Sequence, residues 1–299
     1  MHELRFSEQE QGQTLLQALR QQLPAAPIGY LRQLLRRGRI AGPGPNPGED
    51  SLVQAGAVVW LPDSGRMRDI LAQSLTIRSI LLEDESCLVV YKPAGLAVHS
   101  SLGHNQDNLT DRLRRLMEER GVAYSVAPVH RLDIGTSGPV LFGKGRHATR
   151  MLGRMMMDGR MEKHYLALVA GRPPQPGRLE QPVVAKGKVR EAATIFEVAA
   201  YGQDGALLRL QLVTGRKHQI RQQLAAAGWP LVGDERYGGP PLDGLQRPFL
   251  HCCELVWPTF ESISGGRVCC PLPAELSARL PQWGIEPPPG STNRSLPGG

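Results

Sequence analysis

His130-Arg131-Leu132-Asp133-Ile134-Gly135-Thr136-Ser137-Gly138 is the stretch on which the reading of this chain turns. It runs straight into PVLFGKG at residues 139–145, whose continuous apolar start reads as a buried strand. An aspartate beside an arginine, followed by a Thr-Ser-Gly turn, makes a loop able to display a carboxylate. A lone Arg-Leu-Asp triplet would mean no more than a surface ion pair. The full nine-residue string carries more information.

Working outward, CLVVYKPAG (87–95) reads as a buried strand closed by a Pro/Gly turn, preceded by an acidic EDES turn (83–86). Residues 107–121 predict an amphipathic helix with Leu109, Leu113, Leu116 and Met117 on one face. HYLALVAG, ATIFEVAAY and ALLRLQLV read as strands, and HATRMLGRMMMDG and HQIRQQLAAAG as helices. Met155, Met156 and Met157 read as core filler. Strands follow one another with only occasional helices between them. That order predicts an α+β domain on a mainly antiparallel mixed sheet.

A second informative segment is Thr214-Gly215-Arg216-Lys217-His218-Gln219-Ile220-Arg221. A strand ends at Val213, and a helix is expected to begin near Lys217. Helix N-termini carry free N–H groups and partial positive charge. With Arg216, Lys217 and Arg221 this one suits a phosphate or a carboxylate. A turn-rich loop, Gly228 to Gly238, follows, and then a short strand from Leu250-His251 to Pro258.

The N-terminal part reads as a separate module. Leu15, Leu16 and Leu19 suit one short helix; Tyr30, Leu31, Leu34 and Leu35 suit a second; AGAVVWLP suits a strand. Arg32, Arg36, Arg37 and Arg39 crowd the second helix, with no acid from residue 11 to 48. The expected division is a module at 1–62, a connector at 63–86, the main domain at 87–284 and a disordered Pro/Gly/Ser-rich tail at 285–299.

Composition narrows the function classes. Thirty-five basic against 28 acidic residues give a formal charge of +7, which suits a polyanionic partner. No run approaches the ~18 apolar residues of a membrane helix, and the start resembles no secretory signal, so no membrane is expected and the cytoplasm is the default location. Cys87, Cys252, Cys253, Cys269 and Cys270 lack C-x-x-C spacing and read as small apolar residues in strands, not as a zinc knuckle or a disulfide framework. There are no Rossmann glycines, no P-loop and no metal-ligand cluster, so neither cofactor nor metal is expected.

HRLDIGTSG resembles the catalytic-loop motif of the RluA-type pseudouridine synthases, which modify ribosomal and transfer RNA. VVYKPAGLAVH, EKHYLALVAG, TGRKHQIRQQLAAAGWPLVGDERYG and FLHCCELVWP resemble the family's other blocks, in family order, across about residues 87–260. Residues 12–61 resemble, more loosely, the small RNA-binding module typified by ribosomal protein S-four. They depart from it where GQTLL replaces the usual Arg-Leu-Asp start and where IAGPGPNPGED replaces Val-x-Val-Asn-Gly. Trp229 stands where the family more often has His.

The resemblance implies an isomerase that breaks the bond between ribose C1′ and uracil N1 and rejoins the base through C5. It implies Asp133 as nucleophile, acting on the sugar, on the base, or on a sugar proton. It implies Arg221 as the cation that keeps Asp133 charged, through an Asp133–Arg221 salt bridge. Tyr165 is expected to stack on the base and to take the C5 proton; alternation puts it with Ala167 on one strand face. Because the target must be flipped out, Arg131 is expected to fill the gap or to touch a phosphate. His130 reads as a hydrogen-bonded loop residue on the RNA side. Lys92, Lys144, Lys163, Arg216, Lys217, Arg36 and Arg37 are candidate RNA contacts. The partner is ribosomal or transfer RNA, and the chain is expected to be a monomer. The competing expectation is a non-catalytic RNA-binding or ribosome-assembly protein of the same fold.

Overall fold

The structure is a computed structural model that describes residues 2–6, 10–23, 26–42, 47–73, 79–100, 108–174, 176–185 and 187–287. Its contacts divide the chain into two units: Met1–Ser79 with Arg115–Val122, and Ile80–Arg114 with Ala123–Gly299.

In the first unit β1 (His2–Arg5) pairs antiparallel with β2 (Val58–Leu61), and between them lie α1 (Leu15–Gln22) and α2 (Ile28–Arg36). Thr14 opens α1 with a reciprocal capping box: its hydroxyl accepts the Gln17 backbone N–H, and the Gln17 side-chain amide oxygen Oε1 accepts the Thr14 backbone N–H. Leu15, Leu19, Leu31, Leu34 and Leu35 are buried in one core with Val59 and Leu61. The stretch read as a connector holds α3 (Gly65–Gln73), because Met67 and Ile70, three residues apart, bury in that same core. It also holds β3 (Ile80–Glu83) of the second unit.

The second unit is built on two sheets. β3, β4 (Cys87–Lys92), β5 (Val126–Pro128) and β6 (Gly138–Lys144) form one, in the order β3-β4-β6-β5. Helix α4 (Leu109–Glu119), which belongs to this unit as far as Arg114, precedes β5 and buries Leu109 and Leu113 in its first half, while α5 (Gly145–Met157) follows β6. The larger sheet uses β7 (Glu162–Ala170), β8 (Gly177–Leu179), β11 (Thr194–Tyr201), β12 (Gly205–Leu212), β13 (Leu250–Trp257) and β14 (Gly266–Cys269), in the order β14-β13-β7-β12-β11-β8. A separate two-stranded hairpin, β9 (Val183–Ala185) with β10 (Lys188–Arg190), lies along the chain between β8 and β11. Two helices complete the unit: α6 (Gln219–Ala226) after β12, and α7 (Ala274–Ser277) near the end. Every named strand pair is antiparallel, as the succession of strands predicts.

The sheets join where β6 begins. The Cys252 N–H donates to the Ser137 carbonyl at 2.8 Å. Gly138 sits there at φ 137°, so close to the Cys252 backbone that a Cβ would collide with it. The loop from Val129 to Ser137 is thereby anchored in the seam.

Met155 is fully buried, as core filler should be, but Met157 is 88% exposed; it ends α5 on the solvent side. Cys87, Cys252, Cys253 and Cys270 are buried free thiols, whereas Cys269 on the edge strand β14 is exposed. Ile285 is buried in the core with Leu280 and Leu276. The disorder expected of residues 288–299 lies outside the described residues.

Candidate active site

Asp133 stands at the tip of the loop that leads into β6, with its side chain 17% exposed. It lies in the wall of a cleft of about 620 Å³. The loop itself supplies Val129 to Asp133 and Thr136; β7 supplies Lys163 and Tyr165; the segment before α6 supplies Gly215, Arg216 and Lys217; α6 supplies Ile220 and Arg221. The three residues expected to carry the chemistry, Asp133, Tyr165 and Arg221, therefore line one cavity although 88 residues separate the first from the last.

The loop is held from below by two buried cations. Lys92 is fully buried and donates to the carbonyls of Pro93 (2.8 Å), Leu96 (2.8 Å) and Ile134 (3.2 Å). Burial and then Arg247 lower its pKa to about 7, against the pull of Asp133. Arg247 donates to the carbonyls of Gly135 (3.1 Å) and Leu250 (3.2 Å), and its far edge meets Glu275. Beside it the Ser137 hydroxyl bonds His251 Nδ1 at 2.9 Å, and the other ring nitrogen meets the Cys270 carbonyl at 3.1 Å. Burial holds His251 near pKa 4, so the ring is neutral and can accept the hydroxyl proton. Lys92 was expected to touch RNA; its burial and three carbonyl acceptors make it a strut of the loop instead.

The expected Asp133–Arg221 ion pair is absent, because Arg221 is taken by another acid. Its Nε and Nη2 fork onto the two oxygens of Asp234, each at 2.6 Å, and Asp234 is 1% exposed. A bidentate, desolvated partner outcompetes a carboxylate further off. Burial lowers the Arg221 pKa; the Asp234 bonds and charge, then Asp133, more than offset it, so the net shift is upward. The guanidinium also lies 4.9 Å from the centroid of the Tyr237 ring. Within ion-pair range of Asp133 stands His218, its Nε2 3.9 Å from Oδ1. Burial lowers the His218 pKa against the pull of Asp133. Its Nδ1 meets the Tyr237 hydroxyl at 3.0 Å, and its backbone is left-handed, φ 53°. The loop Gly233–Gly238, read only as turns, thus supplies Asp234 and Tyr237 to brace both side chains.

Tyr165 is buried at the centre of the large sheet, paired with Leu210 on one side and Cys252 on the other. Burial, then Cys252 and Asp133, push its phenol pKa well above the usual value. A bulge at Cys253 shifts the register of β13 against β7 beside it. His130 is buried, its Nε2 accepting the Leu141 N–H at 3.1 Å; burial, then Lys163, hold it down to about pKa 3.

The cleft rim is basic. Arg131, Arg190, Arg216 and Lys217 are exposed along it. Arg190 was missed because β10 is too short to stand out in the sequence. Lys144 is not at this rim: its Nζ is 2.8 Å from Glu83 Oε1 and 2.6 Å from the Asp84 carbonyl, so the EDES turn occupies it in place of RNA. Helix α6 is fixed by two buried glutamines. Gln219 accepts the Arg216 N–H and the Thr214 hydroxyl, and Gln223 donates to the carbonyls of Leu179, Gln181 and Ala192. In the first unit Arg36 lies 3.7 Å from Glu49, and Arg37 is exposed. No group of His, Cys, Asp and Glu side chains fit to hold a metal occurs among the described residues, and no described helix is long and apolar enough to cross a membrane.

The second unit is thus an antiparallel two-sheet fold whose cleft joins a loop aspartate, a strand tyrosine and a helix arginine, and the comparisons place that fold among the pseudouridine synthases. The family model for RNA pseudouridylate synthase matches residues 86–226. An uncharacterized RNA pseudouridine synthase of Chloroflexus aurantiacus is 32% identical, over 87% of this chain and 86% of that one. Ribosomal large subunit pseudouridine synthase C of Escherichia coli K12 is also 32% identical, over 82% and 85%. The solved structure of human RNA pseudouridylate synthase domain containing 4 shares the fold, with TM-score 0.61 and 24% identity over 74% of this chain and 98% of that one. The chain belongs to the RluA-type RNA pseudouridine synthase family. It is an isomerase of uridine in RNA, and the reading as a non-catalytic RNA-binding protein is not favoured.

Proposed function

We propose that the protein converts specific uridines of large-subunit ribosomal RNA to pseudouridine, with Asp133 as the nucleophile. The observation that carries this is the meeting of Asp133, Tyr165 and Arg221 in one cleft with a basic rim. The names of the relatives from Escherichia coli and Haemophilus influenzae support the choice of RNA. Asp133 acts on the ribose–uracil unit, Arg221 stabilises its charge across the cleft, and Tyr165 stacks on the everted base and handles the C5 proton. Arg131, Arg190, Arg216 and Lys217 meet the phosphates beside that base, and Arg131 fills the gap it leaves. Residues 1–62, with Arg36 and Arg37, act as an RNA-binding module of the kind typified by ribosomal protein S-four. The protein works as a monomer in the cytoplasm.

The test is a comparison of pseudouridine maps, by carbodiimide-blocked primer extension, of total RNA from cells with and without the protein. Sites present only with the protein and lying in large-subunit ribosomal RNA support the reading. Protein-dependent sites confined to transfer RNA would overturn the choice of RNA.

A further inference from the structure

We infer that Lys163 is a further catalytic residue, whose ammonium hydrogen-bonds a carbonyl oxygen of the everted uracil and stabilises the negative charge that develops there. This rests on the pseudouridine synthase reading of the same cleft.

Lys163 is 4% exposed and lines the cleft. It lies two residues before Tyr165 on β7, so both side chains leave the same face of the strand. Its Nζ reaches toward the segment that precedes α6: a Cβ placed on Gly215 would stand 3.6 Å from it. Among the described residues no hydrogen bond or ion pair holds that ammonium. Three other enclosed cations described around the loop and cleft are each held. Lys92 has three carbonyls, Arg221 has Asp234, and Arg247 has Glu275 with the Gly135 and Leu250 carbonyls. Buried cations are costly unless paired. An unpaired one in the wall of an open cleft finds its partner in what enters. Burial lowers the Lys163 pKa, and the neighbouring Cys252 thiol, which burial keeps protonated, offers it no charge. His130 Nδ1, close enough for Lys163 to depress the ring's pKa, is also buried without a partner.

Depth decides between base and phosphate. Arg131, Arg216 and Lys217 are exposed at the rim, where a backbone passes. Lys163 lies beside Tyr165, where the base stacks. When the C1′–N1 bond breaks, its electron pair leaves with the uracil, and N1, O2 and O4 share the charge. The ammonium donates to O2 or O4 and keeps its own proton. The uracil then bonds C1′ through C5, and the proton lost from C5 is matched by one gained at N1, so no oxidant or reductant is required. A fixed donor aimed at a developing oxyanion in a shielded site acts on the barrier more than on binding.

The experiment compares Lys163→Met and Lys163→Gln with wild type on a transcribed RNA in which the wild type forms pseudouridine. For Lys163→Met we expect kcat to fall by about 100-fold or more. We expect KM and the salt dependence of RNA binding to stay as in wild type. The melting temperature should hold or rise, because an unpaired buried charge has gone. Lys163→Gln, a donor without charge, should recover part of kcat. A phosphate contact would instead weaken binding and cut the salt slope by about 1 with kcat retained, which overturns the inference. A lower melting temperature with proportionate loss of all functions makes Lys163 structural and overturns it too. If the wild type forms no pseudouridine in any RNA, the reading of the cleft itself fails, separately from Lys163.

Discussion

Arg221 is committed on one edge to Asp234, and that changes what its removal does. Asp234 is 1% exposed, so Arg221→Met leaves a buried carboxylate without its partner. Breaking such a pair costs about 3–5 kcal/mol. Thermal unfolding of Arg221→Met should therefore show a marked loss of stability along with the loss of turnover. Adding Asp234→Asn should restore much of the stability and none of the turnover. If the double variant regains activity, Arg221 acts only by propping Asp234. The sequence made Asp133, Tyr165 and Arg221 legible because each sits in a dense motif. It hid the partners: Asp234 lies 13 residues from Arg221, in a loop whose residues suit any turn. His218 drew no role from the sequence, and its approach to Asp133 depends on a left-handed backbone that no side-chain pattern announces.

At the scale of elements, the loop that carries Asp133 owes its position to side chains from elsewhere in the chain. Arg247 ties the Gly135 carbonyl to the Leu250 carbonyl, across the seam between the β6 and β13 sheets. Replacing it by Met strands these acceptors, each worth about 1–3 kcal/mol when buried and unmet. Arg247→Met should melt earlier and lose kcat more than RNA affinity, as read by calorimetry and steady-state rates. Unchanged kcat would mean that the loop holds its shape alone. The strands and helices of this unit were readable because their apolar patterns are long: β6, β7, β11, β12 and β13 have seven to nine residues each. The elements missed were short or marginal. β9 and β10 have three residues each, and α3 buries only a few apolar side chains amid polar ones. The lysines were misassigned for a related reason: sequence gives a charge but not its burial, and Lys92 and Lys144 are both enclosed.

On the scale of the whole molecule, the charge of +7 becomes meaningful once it is located. Acids pair many of the basic residues, as Glu49 does for Arg32 and Arg36, while Arg131, Arg190, Arg216 and Lys217 ring the cleft. A basic mouth attracts a polyanion of any sequence, and behind it lies a cleft of about 620 Å³. What separates an enzyme from a binder of the same charge is the carboxylate inside. The most direct measurement is pseudouridine formation in a defined unmodified ribosomal RNA by wild type and by Asp133→Asn, a change of one atom with the net charge raised by one. The wild type should modify a discrete set of uridines, and Asp133→Asn should bind the RNA at least as tightly while forming none. Pseudouridine made at a comparable rate by Asp133→Asn would contradict the account.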